Sequence, residues 1–293
     1  MTMSDGFDQK VERHIERLRC KKYNIIEKEV TEKRLSWLKS NFLPQNKIDR
    51  PSPRQAYEML FFGYMGLSAN EVPILQETED KIVWSSKNRC PTLEACLKLN
   101  LDTKKVCRAI YEKSTQALIS RLHPQLRFHR SYDEIRPYAN HCKEMIIRLD
   151  FTKFMGLAIK EAKKSRAEGN KGYGAVVVMG EQILARAHDT AITQQDPGQH
   201  AEVNALRQAV KTFADTDLCG AILFSTCEPC PMCTSLAVWS NISTIVYGIS
   251  IEETSKLGRT RINVSSEEII KRSPVMIEVV KDVLKEECKK LYT

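Results

Sequence analysis

The sequence has no apolar run long enough to cross a bilayer. Its most apolar window, AYEMLFFGYMGLSA at 56–69, is shorter than the roughly 20 residues a span requires and contains Glu58. It predicts a buried helix instead. The first ten residues, MTMSDGFDQK, offer no apolar core for a signal peptide. There is no internal repeat and no low-complexity tract. Nor is there a disulfide framework: ten cysteines are scattered over 293 residues without regular spacing, unlike short secreted scaffolds. These absences predict a soluble protein of the reducing cytoplasm with no membrane partner. In that compartment a Cys-x-x-Cys pair signals metal or redox chemistry.

What is present divides the chain in two. Apolar residues make up 42% and charged residues 28% of the sequence, which predicts a packed globular protein rather than a disordered one. Lysines and arginines outnumber acids by 27 to 20 over residues 1–150 but only by 18 to 17 over 151–293. The basic excess therefore sits in the first half. The pattern predicts a mainly helical, basic domain of unassigned role at 1–147 and a second domain at 148–293.

Residues 8–43 read as charged helix, ended by the proline-rich connector PQNKIDRPSPR at 44–54. From 55 to about 147 the periodicity is mainly helical, with Val106, Ala109, Ile110 and Ala117 on one side of a helix that ends near His123-Pro124. The texture changes at Asp150, which can cap a helix presenting Phe151, Phe154, Met155, Ala158, Ile159 and Ala162. AVVVM and QILARA flank Gly180-Glu181 as a hairpin. Helix at 200–213, strand at 221–226, helix after Pro231 and strand at 244–248 then alternate. A short helix near 265–272, a strand at 275–280 and a charged helix close the chain. Such alternation predicts a layered α/β domain.

The chemistry concentrates in FSTCEPCPMCTSLAVW at 224–239, where Cys230 and Cys233 form the Cys-x-x-Cys pair. Alone, the pair is equally a redox couple, a structural metal knot or part of a catalytic metal site. Upstream, QHAEVNAL supplies His200 and, two residues on, Glu202. One imidazole and two thiolates are three protein ligands. A structural zinc site closes its fourth position, whereas a catalytic one keeps it for water, whose pKa zinc lowers to about 7.

The order His-x-Glu, twenty-six residues, then Pro-Cys-x-x-Cys resembles the signature of zinc nucleobase deaminases. With GYGAVVV, DPGQHAEVNALR, STCEPCPMC and WSNISTIVYG, residues 150–293 resemble the cytidine and deoxycytidylate deaminase superfamily, above all its guanine deaminase and tRNA adenosine deaminase branches. The resemblance does not extend to residues 1–147. The resemblance implies a three-layer αβα domain around a central mixed sheet. It implies Zn2+ held by His200, Cys230 and Cys233, with Glu202 as the general acid and base. It also implies main-chain contacts to the base around Ala175, and a homo-oligomer. Relatives place an asparagine eleven positions before the ligand histidine; here that residue is Asp189. An ionised aspartate only accepts hydrogen bonds, so it favours a substrate edge rich in N–H donors. Trp239, on the helix after Cys233, is a candidate stacking residue, with core packing as the alternative.

The expected activity is hydrolytic deamination of an amino-substituted nucleobase or nucleoside, releasing ammonia. Two other readings stand beside it. One is a tRNA adenosine deaminase whose basic first domain holds RNA, with the arginine–aromatic stretch RLHPQLRFHRSYDEIRPYANH at 121–141 as the candidate contact. The other is a non-catalytic zinc-binding regulatory protein. Cys227 and Glu228 are expected to be packed and structural neighbours of the pair. The first-half group of CPTLEAC, Cys107 and His141-Cys142 is read as small buried side chains rather than a second metal site.

Overall fold

The computed structural model describes residues 3–20, 22–43 and 51–293; most of the expected connector, 44–50, lies outside the described residues. The chain divides into two compact units, Met1–Leu149 and Asp150–Thr293.

The first unit opens with α1 (Met3–Arg19) and α2 (Tyr23–Trp37), the latter widening into a π-type turn at Leu38–Phe42. Then come α3 (Pro53–Glu58), α4 (Pro91–Lys98), α5 (Thr103–Val106) and α6 (Lys113–Leu122). The unit is not mainly helical in the sense expected. It contains a four-stranded antiparallel sheet in the order β1 (Ile74–Thr78), β2 (Lys81–Ser86), β4 (Cys142–Arg148), β3 (Leu126–Arg130). The periodicity concealed it because β2 is buried at five successive positions, Ile82–Ser86, and a short continuous apolar run looks alike in strand and helix. Trp84, Phe128 and Ile146 from this sheet pack with Tyr57, Phe61 and Leu118 into one core. A second core joins Val11, Ile15 and Leu18 of α1 to Ala95, Cys96 and Ile110.

The second unit starts where Asp150 accepts hydrogen bonds from the amides of Thr152 and Lys153, capping α7 (Phe151–Ala167). It continues through β5 (Gly174–Met179), β6 (Gln182–His188), α8 (Ala201–Phe213), β7 (Ala221–Cys227), α9 (Pro231–Trp239) and β8 (Thr244–Ile249). The tail adds α10 (Ile251–Lys256), α11 (Ser266–Lys271), β9 (Glu278–Val280) and α12 (Lys285–Lys289). The sheet order is β6-β5-β7-β8-β9. β5 runs antiparallel to β6 and β7, whereas β7, β8 and β9 are parallel, so the sheet is mixed.

Successive side chains of a strand face opposite sides of a sheet. On β7, Phe224 packs against Phe151 and Phe154 of α7, while Ser225 bonds Glu202 of α8. The two helices therefore cover opposite faces. Two glycines allow the layers to approach closely. A β-carbon at Gly174 would lie 2.0 Å from the carbonyl oxygen of Ala158 in α7, and one at Gly248 would lie 2.2 Å from Sγ of Cys288 in α12.

Candidate active site and metal centre

The sequence elements that carry the motif end up at the starts of two helices. His200 is the N-cap residue of α8 and Cys230 that of α9, both in extended conformation, and Cys233 lies in the first turn of α9. Pro231 suits the first helical position, where no backbone N–H is needed. Helix N-termini carry partial positive charge and unsatisfied N–H groups, an environment that favours thiolates.

The donor atoms converge. Nδ1 of His200 lies 3.6 Å from Sγ of Cys230 and 3.5 Å from Sγ of Cys233, and the two sulfurs are 3.5 Å apart. Among the described residues this is the one group of three or more metal-binding side chains whose ligand atoms all lie within 4.8 Å of one another. Tetrahedral zinc, with bonds of about 2.3 Å to sulfur and about 2.0 Å to nitrogen, needs S···N and S···S edges of roughly 3.5–3.8 Å. The triangle matches this requirement, and soft sulfur with imidazole is a donor set zinc accepts.

Electrostatics sharpen the arrangement. The Cys230 thiol is pulled down to about 4, first by its hydrogen bond with Cys233 and then by His200, against the opposing effect of burial. Cys233 moves upward, through that same pairing, its burial and the neighbouring Glu202. The His200 imidazole is raised, chiefly by Cys230 and further by the charges of Glu202 and Asp189.

Glu202 is buried, with Oε2 3.4 Å from Sγ of Cys233 and Oε1 accepting the Ser225 hydroxyl at 2.9 Å. Burial lifts its carboxyl above the usual carboxylate range and Cys230 adds to the lift, while Ser225 opposes it. Ser225 was not singled out from sequence; its strand position, one residue out of phase with Phe224, is the signal that aims it at α8. Asn204 was missed as well. One turn beyond His200, its amide donates to the carbonyls of His188 and Gln199 and to Thr190 Oγ1, fixing the loop that leads into the site.

Asp189 follows β6 and is fully buried. Its Oδ1 accepts the Ala191 amide at 3.4 Å, whereas its Oδ2 is buried without a hydrogen-bond partner. Ala175 is buried on β5, paired with Ser225 on one side and Ala187 on the other, and so shares the Glu202-facing side of the sheet. Trp239 stands apart: at the end of α9 it is 77% exposed. A side chain so open to solvent walls no buried pocket within this chain, and it is not core packing either.

Cys227 sits at the end of β7 with its sulfur near Thr254 Oγ1 and Arg261 Nη2, outside the donor triangle. Glu228 is buried. Its Oε2 accepts the Ile251 amide, and its Oε1 accepts both the amide and the hydroxyl of Ser266. It ties the loop carrying Cys230 to the starts of α10 and α11. In the first unit Cys96 and Cys107 are buried side chains.

The 121–141 stretch also spends most of its groups internally. Phe128 is in the core, Arg130 pairs with Glu144, and Tyr132 donates to Glu112. Tyr138 remains exposed.

The chain is similar to known proteins over part of its length. A family model described as the cytidine and deoxycytidylate deaminase zinc-binding region matches residues 141–249. The tRNA-specific adenosine deaminase of Bacillus subtilis is 39% identical over 135 residues, which cover 46% of this chain and 81% of that protein. The guanine deaminase of the same organism is 35% identical over 86 residues, 29% of this chain and 55% of the relative. A solved structure from work on A-to-I editing by tRNA:A34 deaminases is 25% identical, covering 48% of this chain and 99% of that one, with a TM-score of 0.43.

Proposed function

The chain belongs to the cytidine and deoxycytidylate deaminase family, as a zinc-type hydrolytic deaminase, and we propose that His200, Cys230 and Cys233 hold its zinc while Glu202 moves the protons. The convergence of these three donor atoms beside a buried carboxylate is the observation that carries the reading.

When bound, zinc acts as a Lewis acid that makes water a nucleophile near neutral pH. The chain's own groups do the rest. Ser225 holds Oε1 of Glu202, which leaves Oε2 turned toward the sulfur of Cys233. A carboxyl whose proton affinity burial has raised can take a proton from the attacking water and return one to the departing amine. Water adds at the ring carbon, its C–N bond breaks, and ammonia and a carbonyl product result. Oδ2 of Asp189, buried and without a partner, accepts an N–H from the substrate edge. Ala175, whose position lies on the same side of the sheet, is where main-chain contact to the base is assigned.

The substrate is an amino-substituted nucleobase or nucleoside. Adenosine in tRNA is the second reading, favoured by the name of the Bacillus subtilis relative. A purely regulatory zinc protein is disfavoured because Glu202 is present and held in place. Exposed Met232 and Trp239 on α9 offer a face to a second copy of the chain, in keeping with a homo-oligomer. Ten cysteines without a disulfide among them are in keeping with the reducing cytoplasm, and no helix among the described residues is long and apolar enough to cross a membrane.

Purified protein should contain about one zinc per chain by elemental analysis. Glu202→Ala should keep that zinc and lose ammonia release across a panel of aminopurines, aminopyrimidines and their nucleosides. A Glu202→Ala protein with full turnover would end the assignment.

A further inference from the structure

The basic excess of the first unit has a focus. Most cations of that unit with a charged partner are committed within it: Arg54 to Glu58 and Glu77, Lys98 to Glu12, Lys143 to Glu134, and Arg130 to Glu144. Lys10, Arg13 and Arg17 of α1 and Lys33 of α2 are different. Together with His14 they line a cavity of about 220 Å³, and no acid contributes to its wall. None of the four has an ion pair among the described residues; Arg13 donates only to the Gln9 carbonyl, at 3.3 Å.

His14 is built into this wall. Its Nδ1 faces the hydroxyls of Tyr111 at 2.8 Å and Thr92 at 3.1 Å, and its ring stacks on Tyr111. Burial, with Arg17, Arg13 and Lys33 adding, lowers the imidazole to about 4, so the ring is neutral.

Four exposed like charges around one void raise the local positive potential, which favours an anion there. We propose that this cavity is a phosphate site that grips the backbone of an RNA strand. Lys10, Arg13 and Arg17 recur at three and four residues, so they follow one helix face for about 10 Å. Arg89 stacks 3.8 Å above the ring of Phe7, one turn before Lys10 on the same helix. A row of charges suits a strand of regularly spaced phosphates better than a single small anion. An anionic bilayer suits it less. The exposed positions beside the row are charged rather than apolar, and Glu12 and Glu16 are among them.

This deepens the polynucleotide version of the proposed function and rests on it only for the strand's identity. The test uses the full chain and a fluorescently labelled tRNA, titrated from 50 to 200 mM salt. In the double variant Lys10→Gln/Arg17→Gln, and separately in Lys33→Gln, affinity should fall, about tenfold for the double variant. The slope of log K against log salt should shrink by about 0.7–0.9 for each cation removed. Melting temperature and turnover of free nucleosides should not change. An unchanged affinity and salt slope would overturn the site. So would displacement of the RNA by equimolar inorganic phosphate or a mononucleotide, or retention by anionic vesicles without RNA binding. If wild-type protein binds tRNA through these cations but deaminates nothing, the deaminase reading fails and the site stands.

Discussion

Ser225 of the sheet and Glu202 of the helix above it are joined by one buried hydrogen bond of 2.9 Å, in which the hydroxyl donates to Oε1. Removing it should slow catalysis without emptying the metal site. A hydrogen bond to a charged group contributes about 1.5–3 kcal/mol. Losing even part of that alignment corresponds to about tenfold or more in rate. Ser225→Ala should therefore keep one zinc per chain while kcat falls at least tenfold. An unchanged kcat would show that Oε1 needs no partner.

Asp189 predicts a specificity change rather than a loss. Its unpartnered Oδ2 can only accept, whereas an asparagine amide donates. A site that leaves a buried hydrogen-bonding group unpaired against the wrong substrate can discriminate by 10⁴-fold or so. Asp189→Asn should shift kcat/KM from substrates with a donor edge toward those with an acceptor edge, with zinc content unchanged. Equal ratios across the substrate panel would remove Asp189 from the pocket.

Glu228 accepts from three donors, two amides and a hydroxyl. In Glu228→Gln the side-chain NH2 must confront one of those donors. An unsatisfied buried group costs about 1–3 kcal/mol, and the loss should appear first in α10 and α11. Hydrogen exchange of the Ile251 and Ser266 amides should accelerate before that of β7. Uniform exchange would mean that Glu228 does not tie these helices to the ligand loop.

Asp150 gives a pH-dependent prediction. Its carboxylate caps α7, and its hydrogen bonds, from the Thr152 side chain first, hold its pKa below the ordinary carboxylate value. A depressed pKa stabilises the fold above the unfolded value of about 3.9 and loses that contribution as pH falls through the folded value. Asp150→Ala should cost about 1 kcal/mol at pH 7. The gap between the two proteins should narrow below about pH 4, as read by denaturant unfolding at each pH.

The second unit was legible in the sequence because its signals are local. Asp150 begins a helix with regular apolar spacing, Gly180 turns a hairpin, and prolines fence the cysteine pair. His200 and Glu202 gained meaning only from Cys230 and Cys233, some thirty residues away, and the fold brings them together. The first unit's sheet was hidden because its strands are short and pair over long separations, β2 with β4 for example. Arginines at 127 and 130 looked available for RNA on the page. The fold turns Arg127 inward, toward Ser120 and the Leu126 carbonyl, and gives Arg130 to Glu144. Trp239 could not be placed from spacing, since an apolar residue near a helix end does not reveal whether its face is buried or open to solvent.

The close approach of Gly248 to Cys288 constrains how this protein can diverge. A methyl at 248 would meet Sγ of Cys288 at 2.2 Å and its Cβ at 2.7 Å. Alanine at 288 removes only the first collision and glycine removes both, leaving the Thr226 carbonyl oxygen at 3.0 Å as a milder contact that the strand must relax. The two positions are thus expected to drift as a couple. Libraries selected for retained folding should return side chains at 248 only alongside a stripped residue 288, tracing a dependence between β8 and α12 that owes nothing to substrate.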